Sequence, residues 1–148
     1  MGSDRPATAN RERRGPTWSV GSFAAFWDKP DPAVVPAVLG PDVVGRWPGE
    51  DEPVRGPDAY TARLARLLEL LPDLRLDVAE SATNGEFTFI RWVMQATGLH
   101  GPFEITGIDR VRVRGGLVVE NVITYDTAEF ERLSGHPSYD PDRPPNGA

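Results

Sequence analysis

The sequence predicts one α+β domain, with helices packed on one side of a curved antiparallel sheet. Three observations carry this. Apolar residues recur at helical spacing from Val20 to Leu71, the period falls to two from Leu74 onward, and glycine turns at Asn84-Gly85 and Gly115-Gly116 break the second half into hairpins. A length of 148 residues with 39% hydrophobic and 26% charged residues suits one globular domain, large enough to need no covalent staple.

The elements follow in order. Val20, Phe23, Ala24 and Trp27 form the stripe of a first helix. Asp31 followed by Pro32 is an N-cap with proline in the first turn, so a second short helix should carry Val34, Val35, Val38 and Leu39 and stop at Gly40. Val43 to Pro48 reads as a strand, and the segment PGEDEPVRGPD after it as a loop. A third helix carries Tyr60, Leu64, Leu67, Leu68 and Leu71 on one face until Pro72 ends it. Strands are then expected from Leu74, from Glu86 to Thr97, from Phe103 to Arg114 and from Leu117 to Tyr125, with a last short helix over Thr127 to Leu133. Residues 1–16 and 134–148 are rich in Pro, Gly, Arg, Asp and Asn and read as disordered tails around a domain at 17–133.

Composition limits function. With no cysteine and two histidines, thiolate zinc sites, disulfide frameworks and cysteine nucleophiles are excluded, and neither a metal nor a cofactor is expected. A net charge of −6 argues against a nucleic-acid surface, and the basic cluster Arg11, Arg13 and Arg14 reads as part of a solvated tail. No apolar run approaches the roughly 20 residues of a membrane span, and the N-terminus lacks a signal-peptide core, so a cytoplasmic location is expected.

The candidate site comes from strand register. A hairpin loop symmetric about His100 sets Arg91 opposite Asp109, Phe89 opposite Val111 and Phe87 opposite Val113. A three-residue turn at Arg114-Gly115-Gly116 sets Asp109 opposite Asn121 and Val111 opposite Val119; a two-residue turn would set Val122 there and send Glu120 inward. Because Arg110, Arg112 and Arg114 cannot all be buried, Asp109, Val111 and Val113 should face the helices. Arg91, Asp109 and Asn121 would then meet inside an apolar wall of Phe87, Phe89, Val93, Gln95, Ile123 and Tyr125, the composition of a small-molecule site. An ion pair between Arg91 and Asp109 is either structural or functional, and the high cost of burying two charges favours use. Phe23, Trp27, Trp47 and Tyr60 are expected to shape the same cavity. The opposite face of the sheet would carry Ile90, Trp92 and Met94 beside Ile108, an apolar patch that a homodimer would cover.

The stretches GPDVVGRWPG, LLPDLRLDV, FIRWVMQATG, HGPFEITGIDRVRVRGG and VVENVITYD resemble the SnoaL-like polyketide cyclases over about residues 17–133. The resemblance implies the nuclear transport factor 2-like, cystatin-like roll, a cone-shaped curved antiparallel sheet wrapped around three N-terminal helices. It also implies a cofactor-free enzyme acting on a hydrophobic, oxygenated metabolite of secondary metabolism. Asp109 would be the acid/base, with Arg91 and Asn121 orienting it, and His100 lies in a stretch resembling the GTHxG of these proteins. Aligned with the similar ketosteroid isomerase, Phe23 and Trp47 stand where that enzyme has its tyrosine and its base, so only Asp109 has a counterpart. Aligned with limonene epoxide hydrolase, Arg91 matches but Val93 and Ile123 replace its two aspartates, which counts against an epoxide hydrolase. A cyclase or isomerase is the first expectation, with epoxide opening or a non-catalytic, lipophile-binding dimeric module as alternatives.

Overall fold

The computed structural model describes residues 15–138, so the expectations for the two tails lie largely outside the described residues. Helix α1 (Val20–Asp28) starts at a reciprocal cap, in which the Ser19 hydroxyl accepts from the Ser22 amide at 3.0 Å and the Ser22 hydroxyl from the Ser19 amide at 2.8 Å. It buries Phe23 and Trp27, as the stripe requires. The segment Pro32–Val38 is a 3₁₀ helix capped by Asp31, with Pro36 inside it. Strand β1 (Leu39–Arg46) therefore begins earlier than expected, at the residue where a continued helix was anticipated. The loop that follows contains the two-residue strand β2 (Val54–Arg55), and helix α2 (Pro57–Leu70) opens with proline in its first turn.

The second half is the expected meander: β3 (Arg75–Asn84), β4 (Phe87–Gly98), β5 (Gly101–Arg114) and β6 (Leu117–Tyr125), followed by helix α3 (Thr127–Ser134). The six strands lie in the order β2-β1-β6-β5-β4-β3, and β1 joins β6 in parallel while all other pairs are antiparallel. Ser134, the last residue of α3, and Ser138 beyond it are both buried.

Two turns differ from the expected register. Gly98 pairs with Gly101, so the β4–β5 hairpin closes on Leu99-His100 alone and sets Ile90, not Arg91, opposite Asp109. Gly115 and Gly116, at φ of 57° and 79°, form a two-residue turn of the type that glycine accommodates without a Cβ clash. A bulge between Arg112 and Val113 then shifts the pairing, which places Asn121 opposite Val111 and Ile123 opposite Asp109.

The first change turns β4 over, because a slip of one residue moves every side chain to the other face. Thr88, Ile90, Trp92, Met94 and Ala96 face the helices and are buried. Phe89, Arg91 and Val93 point outward, with Phe89 43% exposed. The expected outer patch of Ile90, Trp92 and Met94 is thus core: these residues are 0%, 1% and 3% exposed within one chain, and the homodimer expectation loses the side chains on which it stood. Of that patch Ile108 remains outside, at 44% exposure. The inward face of β5 is as expected, with Asp109 and Val111 buried and Arg110, Arg112 and Arg114 paired outside with Glu120 and Glu86.

Register predicts its own test. Ile90→Glu should bury an unpaired carboxylate and destabilise the domain by several kcal/mol, or prevent folding, whereas Phe89→Glu should cost less than about 1 kcal/mol. Urea unfolding of the two variants measures both, and the reverse order of costs would mean that the strand is paired the other way.

Candidate active site

Between the sheet and the helices lies a cavity of about 760 Å³, lined by α1, the 3₁₀ helix, α2 and the inward residues of β3 to β6. Its wall is mostly apolar, and on it the side chains of Trp92, Asn121 and Tyr60 gather around Asp109 of β5. The carboxylate accepts from the Trp92 indole Nε1 through Oδ1 at 2.8 Å and from Asn121 Nδ2 through Oδ2 at 2.9 Å. The same Asn121 nitrogen donates to the Tyr60 hydroxyl at 3.0 Å. Asp109 and Asn121 are each 5% exposed, Trp92 1% and Tyr60 8%, so this is a buried network built from β4, β5, β6 and α2.

Its geometry follows from the register. Trp92 stands opposite Gly107, two residues from Asp109 on the same face, and a Cβ at residue 107 would overlap the Trp92 ring. The missing side chain lets the indole lie across β5 and reach the carboxylate. The β6 bulge brings Asn121 onto the inward face diagonal to Asp109, where its amide can span the gap to α2. Tyr60 is held against Trp47, with ring centroids 5.1 Å apart, and the Arg63 guanidinium, paired with Glu50, lies over the ring of that tryptophan.

Electrostatics set the carboxyl apart. Burial raises the Asp109 pKa from 3.8 to about 6, opposed in part by the hydrogen bonds from Asn121 and Trp92. Burial also raises both tyrosine hydroxyls, Tyr125 to about 12 and Tyr60 further, so both stay protonated near neutrality. Near pH 6 the site holds one carboxyl that is partly protonated beside phenols that stay protonated. No three His, Asp or Glu side chains converge on a cation site among the described residues.

The structure brings together Asp109, Asn121, Tyr60, Tyr125, Phe23, Trp27, Trp47 and Ile123 around the cavity. It does not bring Arg91, whose guanidinium pairs with Glu80 at 2.8 Å on the outer face with its side chain 45% exposed. Phe89 and Val93 leave the site for the same reason of register. Asn121, not Glu120, faces inward, and Glu120 pairs with Arg110 outside. His100 is exposed at the hairpin tip beside Gly135, nine residues along β5 from Asp109, or roughly 30 Å of strand. The residue that sequence reasoning missed is Trp92. Gly107 in the middle of an otherwise bulky strand was its available signal, since an isolated strand glycine marks a close approach.

A curved six-stranded sheet closing over helices around one apolar cavity defines the α+β class shared with nuclear transport factor 2, ketosteroid isomerase and cystatin. Residues 20–121 match the family model of the SnoaL-like domain, and the chain belongs to that family. No curated protein matches the sequence. Among solved structures, a protein with a ketosteroid isomerase-like fold from Catenulispora acidiphila, in complex with trimethylamine, is similar over 82% of this chain and 96% of its own at 18% identity, with a TM-score of 0.72. A nuclear transport factor 2-like protein of unknown function from Burkholderia pseudomallei is similar over 86% and 98% at 22% identity, with a TM-score of 0.71. A protein from Jannaschia sp. that is named as a SnoaL-like polyketide cyclase is similar over 88% and 94% at 18% identity, with a TM-score of 0.67. At these identities the likeness is one of fold. No helix among the described residues is long and apolar enough to cross a membrane.

The raised Asp109 pKa implies a pH-dependent cost. A carboxyl whose pKa is higher folded than unfolded binds its proton more tightly in the fold, so its contribution to stability falls as pH rises from about 4 to about 6. A shift of about two units corresponds to roughly 3 kcal/mol. Urea titrations of the wild type and of Asp109→Asn across pH 4 to 7 should therefore show the difference in unfolding free energy moving against the wild type by about that amount. A difference that stays flat with pH would remove burial as the cause.

Proposed function

We propose that the protein is a cofactor-free acid/base enzyme, a polyketide-type cyclase or isomerase acting on a hydrophobic, oxygenated metabolite of secondary metabolism. The observation that carries this reading is the Asp109 carboxyl, buried at the polar end of an apolar cavity and held by two neutral N–H donors with its pKa raised to about 6. Membership of the SnoaL-like family supports it, as do structural neighbours named as polyketide cyclases.

The chemistry asks little of the protein. Ionised Asp109 removes a proton from a carbon between or beside carbonyl groups, leaving an enolate. The enolate carbon attacks a second carbonyl of the same molecule, one carbon–carbon bond forms, and the resulting alkoxide takes back the proton that Asp109 holds. No atom is gained or lost, so the step is an isomerisation of the substrate. A folded conformation of the substrate inside a shaped cavity supplies proximity, and a base with a pKa near the working pH both accepts and returns the proton efficiently. Epoxide opening finds less support: that chemistry uses a second carboxyl group, and the other carboxylate on the lining, Asp31, is exposed at the rim, where it caps the 3₁₀ helix.

The test is turnover of linear poly-β-carbonyl esters, followed by loss of substrate absorbance and by mass-neutral conversion. Asp109→Asn should lower kcat about 10²-fold or more while the variant stays folded. The wild-type kcat/KM should rise about tenfold per pH unit below about 6 and level off above it, because the base must be ionised. Retained turnover within a few fold in Asp109→Asn would reject Asp109 as the acid/base, whereas binding without turnover in the wild type would leave a binding module as the better account.

A further inference from the structure

With Asp109 ionised, the lining of the cavity carries a net negative charge. Its other ionisable side chains are Tyr60 and Tyr125, which stay neutral as phenols, and Lys29 and Asp31, which are exposed at the rim and offset each other. Arg63 lies over Trp47 outside the lining and is matched by Glu50, and the two act on the Tyr125 hydroxyl in opposite directions. Burial and the hydrogen bonds from Asn121 and Trp92 move the Asp109 pKa, and no charged side chain among the described residues does. The carboxylate therefore stands in an apolar wall without a counter-ion.

The rings around it add charge of the same sign. Trp92 is bonded to the carboxylate, and Tyr125 packs on Trp92 with ring centroids 6.2 Å apart, the two flanking Gly107 from β4 and β6. Tyr60 is joined to the carboxylate through Asn121 and packs on Trp47. All four rings line the cavity, and the π-face of an aromatic ring is negative. Such a cavity attracts organic cations and repels anions.

We propose that the cavity binds lipophilic ammonium ions, with Asp109 as the counter-ion and the rings of Trp47, Tyr60, Trp92 and Tyr125 as the aromatic wall around the cation. Contact with the carboxylate oxygens is not required, because a charge acts over several ångströms where the dielectric is low. An alkylated nitrogen suits this wall better than a primary amine, whose ammonium group has three donors to satisfy on a lining with few acceptors. The volume of about 760 Å³ leaves room for its apolar substituents. For the proposed reaction the consequence is inhibition: a bound ammonium ion fills the space of the substrate and holds Asp109 ionised in an ion pair. This inference rests on the reading of the cavity as the substrate site and adds the class of ligand that shuts it.

Benzyltrimethylammonium and neopentylbenzene differ only in nitrogen against carbon at one atom, so their affinities by calorimetry isolate the charge. At pH 8 the wild type should bind the ammonium ion about tenfold more tightly than the hydrocarbon. The quaternary charge does not titrate, and neither histidine lines the cavity, so a change with pH is read on Asp109. At pH 5, about one unit below the Asp109 pKa, the ammonium affinity should fall about tenfold while that of the hydrocarbon holds. Asp109→Asn should bring the two affinities together at both pH values. Equal or tighter binding of the hydrocarbon by the wild type at pH 8 overturns the inference without any variant, and so does an ammonium affinity that is flat from pH 5 to pH 8. A preference that survives undiminished in Asp109→Asn overturns it too. Each of these results leaves the Asp109 turnover test standing, since that test is read with no cation present. If neither probe binds, the inference falls, and turnover alone then decides whether the cavity is the substrate site.

Discussion

Burying one carboxylate without a cation is the constraint around which the interior is arranged. An ionised group removed from water must be met by donors, and Asp109 is met by two, the Trp92 indole and the Asn121 amide. Each donor makes a demand of its own. The indole reaches across β5 only because residue 107 has no side chain, and the amide faces inward only because β6 carries a bulge before it. Tyr60 then ties the amide to α2, so the group that unites the sheet with the helices is the same group that holds the carboxylate. Around this cluster the wall is apolar, which raises the carboxyl pKa and strengthens every hydrogen bond in the network.

The element order, the meander and the face of β5 were legible in the residues because each rests on a local pattern. Three arginines at alternate positions decide which way β5 points, whatever its neighbours do. Register was not legible in the same way. It depended on how many residues close a hairpin, and GLHGP permits several closures whose energies differ by less than composition reveals. The argument from charge that placed β5 applies equally to β4: Arg91 shares its face with Phe89 and Val93, while Thr88, Ile90, Trp92, Met94 and Ala96 form an uncharged set on the other. An uncharged alternation in a strand beside a cavity is the better guide to its inner face than an assumed loop. The site residues on β5, β6 and the helices were therefore within reach, and those on β4 were inverted together.

Other differences have tertiary causes. Leu39 and Gly40 resemble the end of a helix, yet Leu39 already pairs with Val118, because a parallel β1 covers the free edge of β6. That pairing is nonlocal and leaves no periodic mark in the segment itself. The bulge in β6 is likewise set by the need to follow a glycine turn with an inward Asn121 rather than an inward Glu120. Both the edge pairing and the bulge serve the cavity, one by closing its side and the other by supplying its amide.

The absence of Arg91 from the interior changes what Asp109 can do. A guanidinium in contact lowers a carboxyl pKa by about 1–3 units, which would leave a permanently ionised group, weak as a base and locked in an ion pair. Two neutral donors compensate the charge only in part, so desolvation still dominates and the carboxyl titrates near 6. Near neutral pH such a group is mostly ionised, yet its protonated form lies close in free energy. An acid/base residue that must take a proton from carbon and return it to oxygen within one turnover needs both forms accessible. The pair of Arg91 with Glu80 on the outer face is then consistent with the interior chemistry, since the strand that donates Trp92 to the carboxylate carries its cation on the side where the charge cannot reach it.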